Sequence, residues 1–275
     1  MPEFIYRFSR NRSAIVGFTI LILILLLALL APLLYPASPF HLSGKPMIPP
    51  LEGGYLFGTD TLGRDVASGI AHGARTSLLI GAIATLVAVI LGVFIGGLSG
   101  FVGGRTDAFL MRVTELFQTI PQFLFAITLV AILGPTIRNV IIAIAAVTWP
   151  GVARLARGEF LAMRSREFVK ACICAGVPDW KIIVRHILPN AAPAIIVTSS
   201  LMVANAVLIE SSLSFLGLSD PNVMSWGLMI GAGRVALRTA WWVCTMPGIA
   251  ILLTALAINL AGDGLNDALN PRLRN

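Results

Sequence analysis

Charged residues are scarce in this sequence. Asp, Glu, Lys and Arg together make up 12% of the 275 residues, against about 25% in an average soluble domain. Apolar residues make up 57% of the chain, and the mean hydropathy is +0.88. A water-exposed globule with so little polar surface would aggregate. The composition therefore argues against a disordered chain and an ordinary cytosolic enzyme, and it predicts an integral membrane protein.

Cysteine is also rare, and the sequence offers no catalytic or metal-binding cluster. Cys172 and Cys174 share one basic segment while Cys244 lies far away, so neither a disulfide framework nor a cysteine metal site is expected. The three histidines are scattered. The chain contains no G-x-x-x-x-G-K-[ST] loop that would cradle ATP phosphates. We therefore expect no catalytic residues, no metal and no cofactor in this chain.

Six stretches are apolar enough to cross a membrane, which requires about 20 residues. The fourth has only 15 residues free of charge, so it must extend into its flanks. Pro121 is expected to kink the third. The first is longer than the apolar core of a secretory signal, so it is interpreted as an uncleaved helix. The predicted spans are 14–34, 76–104, 116–137, 139–153, 186–209 and 239–262.

The basic residues indicate how these spans are oriented. With the N-terminus inside, 14 Lys and Arg fall in inner segments and 6 in outer ones. Because basic residues accumulate on the cytoplasmic side, both termini are predicted to be cytoplasmic. The basic residues are confined to short segments between the apolar stretches. Membrane topology therefore explains the net charge of +7, and no nucleic-acid partner is expected.

In the outer segment 211–238, the stretch around Trp226 is interpreted as a re-entrant or surface helix rather than a seventh span.

Three parts of the chain are distinguished. Residues 1–75 comprise an N-terminal tail, the first span and a Pro- and Gly-rich outer segment. Residues 76–265 form a membrane core of five helices, including a cytoplasmic loop at 156–189. Residues 266–275 form a cytoplasmic tail.

The cytoplasmic loop carries two short amphipathic patterns separated by a glycine. Apolar residues recur at i, i+3, i+4 and i+7, which is typical of a helix with one apolar face. Gly176 is expected to end the first helix, and Leu188-Pro189 to break the second before the next span. The hairpin either lies in the lipid headgroups or docks into a soluble partner. The two stripes are Phe168, Ala171, Cys172 and Ala175, then Trp180, Ile183, Val184 and Ile187.

Several motifs resemble one family of membrane proteins. Residues 167–172, Gly176 and residues 186–190 resemble the EAA loop of ABC importer permeases. Residues 57–65 resemble the signature that follows the first span in the C-type permease of dipeptide, oligopeptide and nickel importers. Residues 103–107 and 213–218 are further matches, so the resemblance covers nearly the whole chain. The sequence departs from the EAA triplet at Lys170, which replaces its Glu, and at Cys172, which replaces its second Ala.

The resemblance implies an all-α type I ABC importer permease fold with six transmembrane helices and an EAA-type coupling hairpin. It also implies a bacterial inner-membrane location, a second homologous permease, two ATPase subunits that bind ATP and Mg, an extracytoplasmic substrate-binding protein and surrounding lipid. The residues expected to couple to the ATPases are Glu167, Phe168, Lys170, Ala171, Cys172, Ala175, Gly176, Trp180, Ile183, Leu188 and Pro189.

Three further groups of residues are candidates for packing or function. Gly92, Gly96, Gly100 and Gly104 recur at every fourth position and are expected to let helices approach closely, although a bare-backbone passage is an alternative. Asn205 and Glu210 are candidates for the pathway or its gate, since ionisable groups at membrane depth are costly; Glu210 could instead bond Ser211 or Ser212, or be hydrated. The outer motif either docks the binding protein or forms a local turn and ion-pair network, and comprises Gly58, Thr59, Asp60, Gly63, Arg64 and Asp65.

Three functional classes follow, with the ABC importer permease favoured. Peptides are the expected cargo by resemblance, and nickel chelates, glutathione or another small solute are alternatives. A stand-alone secondary transporter is the next interpretation, although the internal repeat common in such folds is not evident. A membrane enzyme is the third, and the missing catalytic cluster argues against it.

Overall fold

A computed structural model describes residues 11–269 of the chain, and these residues are almost entirely helical. The basic residues Arg7, Arg10, Arg272 and Arg274 lie outside this range. Besides the α-helices, the described residues form a π-helical turn at Ile183–Ile187 and a short 3-10 turn at Arg234–Ala236. The helices are α1 (Arg12–Leu34), α2 (Val66–Val102), α3 (Gly104–Thr119), α4 (Gln122–Leu133), α5 (Ile137–Arg164), α6 (Glu167–Cys174), α7 (Asp179–Ile182), α8 (Leu188–Phe215), α9 (Trp226–Gly233) and α10 (Trp242–Leu269).

Five of these helical segments are long and apolar enough to cross a membrane, and a bent pair makes a sixth. The five are α1, α2, α5, the continuous segment α7–α8, and α10. The prediction of an all-α protein with six spans is therefore confirmed when the bent pair is counted as one span. The fourth span extends well beyond its charge-free core, as its short apolar stretch requires.

The bent pair is α3 and α4, which meet at an angle of 84°. The break lies at Ile120 and Pro121, where Ile120 is extended with ψ 130°. A residue before proline is pushed out of the helical conformation, and proline has no N–H to continue the helix. The kink expected at Pro121 is thus a complete break. Helix α4 has 12 residues and a length of about 18 Å, too short to cross the membrane alone.

Helix α2 begins much earlier than the predicted span, at Val66 instead of residue 76. The Asp65 side chain accepts a hydrogen bond from the Ala67 N–H and caps the helix. With 37 residues, α2 is about 55 Å long, and it runs through the predicted domain boundary at residue 75. Near the start of α2, His72 Nε2 lies 3.0 Å from the Tyr35 carbonyl oxygen, which ties α2 to the end of α1.

The break predicted at Leu188-Pro189 is wrong, because the helix continues from Asp179 to Phe215. Pro189 cannot donate a hydrogen bond to the preceding turn. The chain accommodates it with the π-helical turn, in which the Leu188 N–H donates to the Ile183 carbonyl. The second helix of the hairpin and the following span are therefore one continuous helical element.

Three of the four glycines predicted to let helices approach closely lie on α2 and face α5. A Cβ atom at Gly92 would lie 2.5 Å from the Val152 Cβ, and one at Gly100 would lie 2.6 Å from the Arg157 carbonyl oxygen. A Cβ at Gly96 would overlap the Ala153 carbonyl. Gly104 does not belong to this face, because nothing lies within 4 Å of its Cβ position and its φ is +58°. It turns the chain from α2 into α3.

Helix α9 occupies the stretch around Trp226 and has only eight residues, so it does not add a span. Trp226 is buried, and its indole N–H donates to the Ile70 carbonyl at 3.0 Å. Its backbone N–H donates to the Ser77 hydroxyl at 3.3 Å. The helix is therefore anchored to α2 and lies in the main hydrophobic cluster with the first turns of α10.

Candidate functional site

The hairpin at residues 167–188 folds as the sequence predicts, as two short helices joined at a glycine. Gly176 has a φ of +72°, a backbone conformation that glycine adopts without steric cost. Its N–H donates to the Ile173 carbonyl at 3.0 Å, and the Val177 N–H donates to the Cys172 carbonyl at 3.1 Å. These bonds satisfy the last carbonyls of α6, and Pro178 then precedes α7.

One face of the hairpin is fixed to the membrane core. Val169, Ile182 and Ile187 are fully buried. They share a cluster with Phe101 of α2 and Phe160 of α5. This contact joins the hairpin to two spanning helices, and α8 continues from it.

The opposite face of the hairpin exposes large apolar side chains. Trp180 is 65% exposed and Phe168 is 43% exposed. Three predicted coupling residues do not belong to this face: Cys172, Ile183 and Leu188 are partly buried against the protein's own cluster. The other predicted positions are exposed, namely Glu167, Lys170, Ala171, Ala175, Gly176 and Pro189.

An ion pair between α3 and α5 was not predicted from the sequence. The Arg157 guanidinium donates to both oxygens of Asp107, with Nε to Oδ1 at 2.5 Å and Nη2 to Oδ2 at 2.7 Å. The Ser99 hydroxyl also donates to Asp107. The first turn of α3 is therefore joined to α2 and α5. Nothing local in the sequence pairs two residues 50 positions apart, so no spacing signal could have found this contact.

In the outer motif, Thr59 is the buried centre of a turn network. Its hydroxyl donates to the Lys45 carbonyl at 2.7 Å and accepts from the Ile48 N–H at 2.9 Å. The Trp242 indole N–H donates to the Thr59 carbonyl at 3.1 Å. Gly58 has a φ of +75°, and a Cβ there would lie 2.8 Å from the Trp242 Nε1. The outer loop is thereby pinned to the start of α10.

The charged residues of the outer motif bond mainly to backbone. Asp60 Oδ1 accepts from the N–H groups of Leu62 and Arg64, both at 2.8 Å. Between them Gly63 turns the chain with a φ of +84°. Burial raises the pKa of the Asp65 carboxyl, and backbone hydrogen bonds lower it in part. Within residues 11–269, Arg64 pairs with neither aspartate and instead lies over the Phe40 ring at 5.0 Å.

A groove opens where α3 breaks and α4 begins. It has a volume of about 600 Å³ and is bounded by α3, α4, α5 and α8. Phe117 packs edge-on against Trp149 of α5, with ring centroids 5.2 Å apart, and this contact holds the bent pair against the bundle. Asn205 lies in this groove. The polar residues that line the groove are Gln118, Gln122, Thr148, Arg154, Thr198 and Asn205.

Glu210 does not line the groove and is not hydrated at an interface. Only 1% of the residue is exposed. Ser214 Oγ donates to Oε1 at 2.8 Å, while Ser77 Oγ and Ser211 Oγ lie 3.3 Å from Oε2. Ser212, by contrast, donates to the Leu208 carbonyl. Glu210 therefore joins α8 to α2 at the point where the Ser77 hydroxyl also receives the Trp226 N–H.

Glu210→Leu is expected to destabilise the protein more than Glu210→Gln. Leucine leaves the three serine hydroxyls without their acceptor, at a cost of about 1–3 kcal/mol for each polar group left unpaired. Glutamine keeps one acceptor oxygen. The midpoint of thermal unfolding of the detergent-purified protein measures the difference, and Ser212→Ala serves as control because Ser212 does not contact Glu210. Equal midpoints for the leucine and glutamine variants would contradict this account.

The bundle, the bent span and the helical hairpin together define a polytopic integral membrane protein of the permease class. The chain belongs to the family described as binding-protein-dependent transport system inner membrane component, whose family model matches residues 88–275. A second model, the N-terminal TM domain of oligopeptide transport permease C, matches residues 2–50.

Curated relatives match along almost the whole chain. The di/tripeptide transport system permease protein DppC of Pseudomonas aeruginosa is 40% identical and aligns over 100% of this chain and 93% of its own length. The oligopeptide transport system permease protein OppC of Haemophilus influenzae is 39% identical over 98% of this chain and 87% of its own. The dipeptide transport system permease protein DppC of Bacillus subtilis is 38% identical over 98% and 84%.

Solved structures support the fold. A chain in inward-facing structures of the MetNI methionine ABC transporter superposes with a TM-score of 0.62, covering 74% of this chain and 96% of that one. The identity is 15%, so this likeness establishes the fold alone. The expected type I importer permease fold is thereby confirmed.

Proposed function

We propose that this protein is the transmembrane permease subunit of an ATP-driven importer of di- and oligopeptides and forms half of the translocation pathway. The observation that carries the proposal is the full-length similarity to peptide transport permeases. The exposed apolar face of the hairpin supports it, because Phe168 and Trp180 are available there to a soluble partner.

The partners proposed are a second homologous permease, two ATPase subunits that bind ATP and Mg, and an extracytoplasmic substrate-binding protein. Phe168 and Trp180 would insert into the ATPases, since exposed aromatic side chains are the usual anchors of such interfaces. The outer motif 58–65 holds the loop in one shape, and we assign it to the face that receives the binding protein.

The proposed location is the inner membrane of a bacterial cell, with both termini on the cytoplasmic side. The Asn11 amide donates to Asp267 Oδ2 at 3.0 Å, so the start of α1 and the end of α10 are adjacent. This contact supports a location of both helix ends on one side of the membrane, and the distribution of Lys and Arg favours the cytoplasmic side.

The hairpin is proposed to couple ATP hydrolysis to alternating access. ATP shifts the population between two states only through contacts that differ between them. Closure of the ATPases would displace Phe168 and Trp180, and the buried face at Val169 and Ile182 would carry that displacement into α2 and α5. Asn205 is assigned to the pathway because it lines the groove, whereas the contacts of Glu210 favour a structural role.

Gly176→Pro is expected to uncouple the importer. Proline fixes φ near −65° and removes the N–H, so it is incompatible with the φ of +72° and with the bond to Ile173. The ATPases should remain bound while peptide uptake falls at least tenfold at unchanged or raised ATP hydrolysis. Both rates are measured on reconstituted vesicles, and uptake at the wild-type rate would refute the lever role of the hairpin.

Purification from native membranes tests the proposed assembly. A tagged chain extracted in mild detergent should bring with it a second permease and P-loop ATPases, identified by mass spectrometry. Recovery of the chain alone, together with solute transport by the isolated chain in liposomes, would contradict the proposal and favour a secondary transporter.

A further inference from the structure

Arg154 occupies an unusual position for a charged residue. It lies within the spanning helix α5, ten residues before the helix ends at Arg164, which corresponds to about 15 Å along the axis. Its side chain is exposed and lines the groove at the break between α3 and α4. Charged residues on membrane-spanning helices generally face a cavity or a water-filled path, and they often mark substrate or ion passage.

Arg154 also lacks the partner that its neighbour has. Arg157, one turn further along α5, is neutralised by the bidentate contact to Asp107. Arg154 forms no ion pair or hydrogen bond with the described residues, and no Asp or Glu lines the groove within residues 11–269. The groove therefore holds one uncompensated positive charge.

Neutral hydrogen-bonding groups surround this charge. The side-chain amides of Gln118, Gln122 and Asn205 line the same groove, and within the described part of the chain they form no hydrogen bonds. Each amide offers donors and an acceptor. Such groups can pair with the N–H and C=O of any peptide bond without regard to the side chains it connects.

We propose that the groove is a peptide-binding site in which Arg154 receives the terminal carboxylate of the cargo. A guanidinium pairs with a carboxylate through two parallel hydrogen bonds, and a free carboxylate is common to peptides of every sequence. The amides of Gln118, Gln122 and Asn205 bind the peptide backbone. This inference rests on the proposed function, because it specifies the part of the peptide that the permease itself recognises.

The test uses the intact transporter complex in nanodiscs, without binding protein. The probe is a tripeptide with a photoreactive phenylalanine, prepared once with a free C-terminal carboxylate and once with a C-terminal amide. In the wild type, cross-linking of the free acid to the groove should exceed that of the amide about tenfold, as expected for one charge-assisted bidentate contact. In Arg154→Gln this preference should fall to about one.

Two further variants make the result specific. Arg138→Gln removes an exposed arginine from the outer end of the same helix and should retain the preference. Arg154→Lys keeps the positive charge but lacks the planar guanidinium that forms two parallel hydrogen bonds, so it should give an intermediate preference. This variant keeps the inference testable if the glutamine variant does not assemble. No preference in the wild type, or the same preference in Arg154→Gln, would overturn the inference.

Loss of the second permease from Arg154→Gln, with the acid preference of the remaining complex unchanged, would also overturn the inference, because Arg154 would then serve subunit pairing. ATP-driven uptake of the free-acid tripeptide by the wild type is measured separately. If that uptake is absent, the proposed function fails; if it is present and cross-linking does not depend on Arg154, only this inference fails.

Discussion

Trp180→Ala is expected to release the ATPase subunits from the purified complex. The side chain is 65% exposed on a hairpin whose other face is fully packed, so truncation removes a contact surface without opening the core. Tryptophans at the centre of an interface commonly contribute 2 kcal/mol or more to binding, which corresponds to about a thirtyfold loss of affinity. The amount of ATPase retained at decreasing protein concentration measures the loss.

Trp241→Ala is the matched control for this variant. Trp241 is also exposed, at 50%, but it lies at the opposite end of the bundle, beside Trp242 before α10. It should retain the ATPases as the wild type does. Retention of the ATPases by Trp180→Ala at all concentrations would show that the exposed face of the hairpin is not the docking surface.

Gly96→Val is expected to destabilise the bundle strongly. A Cβ at Gly96 would overlap the Ala153 carbonyl. This carbonyl belongs to the backbone, so it cannot move away as a side chain does by changing its rotamer. Helices α2 and α5 would have to separate along their contact, and overpacking of this kind typically costs 1–3 kcal/mol or more. The expected result is a strongly reduced yield of folded protein and a lower midpoint of thermal unfolding.

Gly158→Ala on α5 is the control for this prediction. Nothing lies within 4 Å of its Cβ position, so alanine should be neutral or stabilise the helix by about 0.5–1 kcal/mol. Gly96→Val with wild-type yield and midpoint would contradict the close packing of α2 on α5.

Much of the fold could be predicted because its signals are local. Charge-free apolar stretches identified the spans, and Pro121 marked the break between α3 and α4. The start of α2 was missed because residues 66–75 include His72 and Arg75, which interrupt the apolar run although the helix continues. The continuity at Pro189 was missed because a π-helical turn accommodates a proline that would end a regular helix.

In the candidate site too, features with local signals could be predicted, and contacts between distant segments could not. The hairpin was predictable from its stripes and from Gly176, but the face that packs inward was not, since it depends on Phe101 and Phe160 from distant helices. The contact between Asp107 and Arg157 and the groove around Arg154 join segments far apart in the sequence. No periodicity or motif brings those segments together before the chain is folded.

The most direct test of the central claim is ATP-driven peptide uptake in a defined system. The chain is reconstituted into liposomes with its second permease and ATPases, and binding protein carrying a labelled tripeptide is added outside. The account predicts accumulation of the peptide only when ATP is available to the ATPases, and its loss in Trp180→Ala. Uptake that proceeds without ATP, or by this chain without its partners, would contradict it.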